Sequence, residues 1–118
     1  MAAKFTSWRS QKMSENSTHG RPSEKPINVL LELVGRRWIL RVVWELRGGP
    51  LTARALRTRC DQAPPGSLQA RLVDLRQAGF VEHRSGSGYA LTDVGRAFLS
   101  AFMSLYFFAE EWKAAENQ

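Results

Sequence analysis

The fold is decided by residues 51–95, which read LTARALRTRCDQAPPGSLQARLVDLRQAGFVEHRSGSGYALTDVG. Thr52 is a favourable N-cap residue, and Leu51 and Leu56 can close a hydrophobic staple around it. The sequence therefore predicts a helix that begins after Thr52. Cys60 lies four residues after Leu56 on the same helix face, and we expect a small buried apolar residue there rather than a redox sensor.

A second helix is predicted over residues 66–78, after a turn at 61–65. Three leucines at spacings of four and three mark one face of this helix: Leu68, Leu72 and Leu75. That spacing is typical of a face buried in a core. Gly79 ends the helix, and Phe80 can pack back on the last leucine, as in a Schellman cap.

A β-hairpin is predicted to follow. Two β-capable runs, residues 80–84 and 88–91, are joined by a Ser-Gly-Ser-Gly tip, and such a short polar link favours two antiparallel strands. Thr92 can then cap a last helix, with Asp93 in its first turn, and we expect that helix to run to about Lys113.

The last helix carries apolar residues at alternating spacings of four and three: Phe98, Phe102, Leu105, Ala109 and Trp112. This heptad spacing predicts the seam of a dimer. An alternative is that the aromatic residues of the helix line a pocket for a small aromatic or apolar effector. Those residues are Phe98, Phe102, Tyr106, Phe107, Phe108 and Trp112.

On the N-terminal side, a short apolar helix is predicted over residues 27–34, a break at Gly35, and an amphipathic helix over residues 36–47. Gly48 and Pro50 end that helix. We expect residues 1–25 to be a disordered basic tail, 26–113 to form the domain, and 114–118 to be a short terminal tail. The fold class is mainly α with a small β-hairpin. Three helices followed by a hairpin are the order of a winged helix-turn-helix domain, here with a long C-terminal dimerisation helix.

Three motifs resemble the HxlR branch of bacterial winged-helix transcription regulators, close to the MarR-like group. They are GRRW at 35–38, RLVDLRQAGFV at 71–81 and YALTDVG at 89–95, within a resemblance that covers roughly residues 26–112. The resemblance implies a dimeric cytoplasmic regulator that binds a pseudo-palindromic operator through helix 66–78 and wing 80–91, with dimer contacts from the terminal helices.

The chain departs from that family pattern in three places. Members commonly have a cysteine just before the first helix, where this chain has Pro26 and Ile27. The polar start of the recognition helix is replaced by Pro-Pro-Gly-Ser at 64–67, and the wing is short, with Arg84 as its only cation. These departures put thiol sensing in doubt and point to weaker or shifted base recognition.

Charge points to nucleic acid as the partner. The 118 residues include 17 Lys and Arg against 11 Asp and Glu, a formal net charge of +6, which favours a polyanion, although a merely solvated basic surface is the alternative. We expect Gln69, and next Ser67, to contact bases of double-stranded DNA. We expect five arginines to contact phosphates: Arg54, Arg57, Arg71, Arg76 and Arg84. For Arg71, an ion pair with Asp74 is an equally strong alternative.

Other functions have little support. One cysteine and the two distant histidines His19 and His83 cannot form a standard structural zinc site or a Ser-His-Asp triad. We therefore expect neither an enzyme nor a cofactor. No apolar stretch reaches the length of a membrane span, so a cytoplasmic protein is expected. The alternative function is a winged-helix dimer for small-molecule sensing or protein association, with weak or lost DNA binding.

Overall fold

The computed structural model describes residues 24–116. Most of the tail predicted over residues 1–25, and residues 117–118, lie outside that range. Five helices and two strands follow one another: α1 (Pro26–Val34), α2 (Ile39–Glu45), α3 (Ala53–Arg59), α4 (Pro65–Gln77), β1 (Val81–Arg84), β2 (Gly88–Leu91) and α5 (Asp93–Glu116). This order confirms the predicted winged helix-turn-helix architecture. A 3₁₀ turn, Leu46–Gly48, extends α2.

One hydrophobic core joins α2, α3, α4 and the wing. Its buried side chains include the predicted leucine face of α4, together with Ile39, Val42, Val43, Leu46, Leu56 and Cys60. Cys60 is 0% exposed, which confirms its prediction as a buried residue. Since each buried aliphatic side chain stabilises the fold by about 1.5 to 3 kcal/mol, this core holds α3 and α4 at a fixed angle.

The caps of the helix-turn-helix form as predicted. The Thr52 hydroxyl oxygen accepts a hydrogen bond from the Ala55 backbone N–H at 3.1 Å. At the end of α4, Gly79 has a φ of 84°, and the Phe80 N–H donates to the Leu75 carbonyl at 2.9 Å. That six-to-one bond defines the Schellman motif. The start of α3 and the end of α4 are therefore both set by local sequence.

Helix α2 begins later than its sequence pattern predicts. The pattern favoured a helix from Arg36, but Trp38 has a φ of 80° and the helix starts at Ile39. A left-handed tryptophan interrupts the helical hydrogen-bond pattern and is rare because its Cβ crowds the backbone. Trp38 is only half-buried against the core, and the Arg37 guanidinium lies over its ring at 5.1 Å.

The wing has an additional backbone partner. Val81 pairs with Leu91 and Arg84 pairs with Gly88 in the antiparallel hairpin. Leu51, before α3, exchanges two backbone hydrogen bonds with Tyr89, at 3.0 and 2.8 Å. A Cβ on Gly88 would lie 2.3 Å from the Leu51 carbonyl oxygen, so only glycine permits this approach.

Helix α5 runs three residues past its predicted end at Lys113. One face of the helix packs on the domain as far as Tyr106: the Phe98 ring stacks on Phe80 at 5.0 Å, and the Tyr106 ring stacks on Trp44 at 4.6 Å. Leu105, on another face, and Phe107, Phe108 and Trp112 are each more than half exposed. From Leu105 onwards the helix therefore presents an apolar surface that the rest of the described chain leaves uncovered.

Candidate nucleic-acid interface

Helix α4 turns its polar side chains outwards. Its leucines are buried, while Ser67 and Gln69 are exposed. Pro64 is the N-cap residue and makes no side-chain cap hydrogen bond. Because Pro65 at the first helical position lacks an N–H, the start of α4 has one backbone donor fewer to satisfy. The proline pair therefore begins the helix but provides no side-chain hydrogen-bond donor for bases.

A groove of about 360 Å³ lies between α3 and α4. It brings together three of the predicted contact residues: Arg54 and Arg57 from α3, and Gln69 from α4. Arg54 is exposed. Cations on one wall and an amide on the other are the groups that bind phosphates and adenine, respectively.

Arg57 also holds the turn between the two helices. Its Nε donates a hydrogen bond to the Ala63 carbonyl at 3.0 Å, and the side chain is half-buried. From the sequence, only a phosphate contact is predicted for Arg57. Because Arg57 also bonds to a carbonyl six residues ahead, it helps to position α4 as well.

Arg41 is a second positioning residue, which the sequence analysis did not identify. Its guanidinium pairs with Glu45 at 2.8 Å and with Asp61 at 3.1 Å, and it donates to the Arg59 carbonyl at the end of α3. The hydrogen bond to Glu45 is the main reason that the pKa of Arg41 is raised above its ordinary value, although partial burial lowers it. Asp61 itself has a left-handed φ of 55°. The Arg41 side chain thus connects α2 to the turn of the helix-turn-helix.

Arg71 takes the ion-paired alternative. Its Nε lies 2.8 Å from Asp74 Oδ2, and Arg36 Nη1 lies 3.1 Å from the same oxygen. The contact with the Asp74 carboxylate is the leading cause that raises the pKa of Arg36 above its ordinary value. Asp74 therefore shares its single negative charge between two arginines beside α4.

The remaining predicted phosphate contacts differ in their surroundings. Arg84, on the wing, pairs with Glu82 at 2.7 Å between Nε and Oε2. Arg76 is exposed, and no ion pair joins it to any residue between 24 and 116. Of these two arginines, Arg76 therefore offers the charge that no ion pair within the described residues balances.

The predicted dimer residues separate into two groups. Phe98 and Phe102 are half-buried against their own domain, and the Phe102 ring meets Trp44 edge-on at 6.3 Å. Leu105, Ala109 and Trp112 are exposed. Three apolar residues of α1 are exposed as well: Ile27, Val29 and Leu31.

A shallow apolar groove of about 270 Å³ lies between α2 and α5. It is lined by Leu40, Arg41, Trp44, Phe102 and Tyr106. Phe102 and Tyr106 belong to the aromatic set that the sequence suggested for an effector pocket, whereas Phe107 and Phe108 are exposed outside it.

Two further observations bear on other chemistry. Between residues 24 and 116, no cluster of three or more His, Cys, Asp or Glu side chains is arranged to hold a metal ion. No helix in that same span is both long and apolar enough to cross a membrane.

The chain resembles known regulators in sequence and structure. The family model described as HxlR-like helix-turn-helix matches residues 33–117. Quinone-bound YodB from B. subtilis is 25% identical with a TM-score of 0.67, over 72% of this chain and 96% of that chain. A "possible HxlR family transcriptional factor" from Thermoplasma volcanium is 27% identical with a TM-score of 0.68, over 79% of this chain and 85% of that chain. No curated protein matches significantly in sequence.

The matched residues contain the whole helix-turn-helix, the wing and α5. The family is one of transcriptional regulators and not of enzymes. With the fold and the family model in agreement over most of its length, the chain belongs to the HxlR-like helix-turn-helix family.

Proposed function

We propose that this protein is a transcriptional regulator that binds double-stranded DNA in the cytoplasm. The observation that carries the proposal is the groove between α3 and α4, which is lined by the exposed side chains of Arg54 and Gln69. In a winged helix-turn-helix, the second helix of the motif fits the major groove of DNA. Here α4 would contact the bases and the wing would contact phosphates. Gln69 and Ser67 read bases in this arrangement, while Arg54 and Arg76 hold the backbone.

The regulator acts as a homodimer on a pseudo-palindromic operator. Support comes from the apolar surface of the terminal helices, where Leu105 and Trp112 are each 54% exposed and Ile27 is 57% exposed. Exposed apolar surface of this kind is typical of an interface. A two-fold dimer presents two copies of α4 to half-sites about 34 Å apart.

The first experiment selects bound sequences from a random duplex library and then titrates the selected duplex against a scrambled one. A regulator prefers the selected duplex by on the order of 10³-fold or more. If the dimer neutralises about 6 to 10 phosphates, affinity falls about 10³- to 10⁵-fold between 50 and 200 mM salt. Equal affinity for both duplexes, with no enriched sequence, would contradict the proposal.

A second candidate function is sensing of a small aromatic ligand. The groove between α2 and α5 favours it because Trp44 and Tyr106 offer stacked rings at its rim, and the similar YodB is described as quinone-bound. A titration with 1,4-naphthoquinone tests it. Saturable quenching of tryptophan fluorescence that Phe102→Ala abolishes, together with release of the selected duplex, supports sensing. Quenching that is unchanged in Phe102→Ala contradicts this site.

A further inference from the structure

Val73 is placed unlike the other exposed apolar side chains between residues 24 and 116. Seven of the eight exposed large hydrophobic residues lie on the terminal helices α1 and α5, where the proposed second copy would cover them. Val73 is 40% exposed and lies in the middle of α4. A lone exposed valine on an ordinary surface requires no partner. Val73, however, lies on the helix that is proposed to enter the major groove, so a DNA base is the partner that its position favours.

Val73 belongs to a stripe on α4 with Gln69 and Gln77, at spacings of four residues. All three side chains are exposed, while the leucines face the core. Four residues along a helix correspond to a rise of about 6 Å, or about two steps of base stacking at 3.4 Å each. An amide at Gln69 and an isopropyl group at Val73 therefore reach bases that are neighbours or nearly so.

The stripe contains no charged side chain. Arg54 lies across the groove and Arg76 beside it, while the charge of Arg71 is balanced by Asp74. Guanine is most often read by a cation, adenine by an amide, and thymine by an apolar contact with its 5-methyl group. The residues of the stripe thus suit A·T pairs, and the cations at its margins suit phosphates.

We propose that Val73 is a specificity-determining residue that contacts the 5-methyl group of a thymine within about two base steps of the adenine bound by Gln69. The inference rests on the proposed DNA binding and adds a chemical class to it: each half-site contains a methyl-bearing pyrimidine at one defined step. Burying one methyl group is worth about 0.8 kcal/mol, which corresponds to about fourfold in affinity per half-site.

The test uses the full chain and the duplex obtained by selection. Each thymine of a half-site is replaced in turn by uracil, which removes the 5-methyl group and leaves the pairing edge intact. The wild-type protein is expected to lose about fourfold in affinity at one position of each half-site. Val73→Ala should bind the thymine and uracil duplexes equally at that position. The control variant Arg54→Ala should weaken both duplexes and keep their fourfold ratio.

Each outcome has a consequence. A uracil penalty that persists in Val73→Ala would overturn the inference, because another group would be reading the methyl. The absence of any uracil penalty would also overturn it, while sequence-specific binding by the same protein would leave the proposed function standing. If the wild-type chain does not distinguish selected from scrambled DNA at all, the proposed function itself fails. Thermal melting of Val73→Ala should match the wild type, since alanine favours a helix and the valine is largely outside the core.

Discussion

Arg71 and Asp74, one turn apart on α4, form an ion pair in which Nε lies 2.8 Å from Oδ2. Arg36 shares the same oxygen, so one carboxylate pairs with two cations beside the recognition helix. We predict that Asp74→Asn will increase affinity for scrambled DNA, because it leaves Arg71 able to contact a phosphate and leaves Arg36 with Glu32 as its ion-pair partner, at 3.2 Å. The salt dependence should steepen by about one unit for each added phosphate contact.

The control for this variant is Glu116→Gln on the last turn of α5, which removes the same charge away from α4. It should leave the salt dependence unchanged. Loss of the ion pair should also cost about 1 to 3 kcal/mol of unfolding free energy, measured by urea denaturation. Asp74→Asn with unchanged affinity for scrambled DNA would show that Arg71 does not reach the duplex.

Gly95→Ala should destabilise the fold strongly. A Cβ at this position would lie 2.0 Å from the Phe80 carbonyl oxygen and 3.3 Å from Leu91 Cδ2. The nearest atom belongs to the backbone and cannot rotate away, so α5 must shift off the domain at a cost of about 1 to 3 kcal/mol or more.

Gly66→Ala on α4 is the matched control, because a Cβ there meets nothing within 4 Å. It should be neutral or stabilise the protein by up to about 1 kcal/mol. Thermal or urea unfolding of both variants measures the difference. Equal stability would mean that the approach of α5 to Phe80 is not close in solution.

Gln69→Ala and Arg84→Ala should differ in which DNA they weaken. Gln69→Ala is expected to cost about 1 to 3 kcal/mol on the selected duplex and to flatten discrimination at one base pair in each half-site. Arg84→Ala should weaken selected and scrambled duplexes alike, since its partner is a phosphate. Because Arg84 is paired with Glu82, Glu82→Gln should strengthen both. Titration of both duplexes at several salt concentrations measures these effects. If Gln69→Ala weakens binding to the selected and scrambled duplexes equally, α4 positions the protein on DNA and does not read its bases.

Leu105→Asp should produce monomers. The residue is 54% exposed in one subunit, so the fold should survive, whereas a charge in a dimer seam lacks a partner and costs several kcal/mol. Light scattering measures the mass. Ser100→Asp, at an exposed polar position on the same helix, should remain dimeric. A dimer in both variants would remove Leu105 from the interface.

Cys60 should be unreactive in the folded protein. Burial raises the pKa of its thiol above the ordinary range, so the reactive thiolate is rarer than in an exposed cysteine. The contribution of the buried neutral thiol to the unfolding free energy is fully present below a pH of about 8.5. It is lost as the pH rises through the raised pKa of Cys60 in the folded protein. Labelling with Ellman's reagent should therefore require denaturant at pH 7. Rapid labelling without denaturant would contradict this placement. Cys60→Ala should lose less stability than the wild type between pH 7 and about 10.

Local signals in the sequence were sufficient for most of the fold. The caps at Thr52, Gly79 and Thr92 each use a hydrogen bond that spans only a few residues, so these caps can be predicted from neighbours alone. The exposure of Gln69 follows directly from the leucine spacing on the opposite face. These features depend on helix period and cap chemistry, which do not require knowledge of distant contacts.

Features that depend on distant residues could not be predicted in this way. Arg41 meets Asp61, twenty positions along the chain, and Leu51 pairs with Tyr89 across the wing. The left-handed Trp38 disagreed with a helical pattern that its side chain fitted well. In each case the contact exists only once α2, the turn and the wing are assembled, because tertiary packing overrides local propensity.

The hydroxyl group of Thr92 joins two helices that the proposed complex would place at different tasks. It donates a hydrogen bond to the Gly79 carbonyl at the end of α4, at 2.6 Å, and accepts one from the Gly95 N–H at the start of α5, at 3.0 Å. The direction in which α5 leaves the domain is therefore coupled to the direction of α4. In a dimer joined through α5, that joint sets the distance between the two recognition helices. The hydroxyl group of Thr92 would thus help to set the spacing between the two half-sites that the dimer can bind. A substitution of Thr92 would change that spacing although the residue itself does not contact DNA.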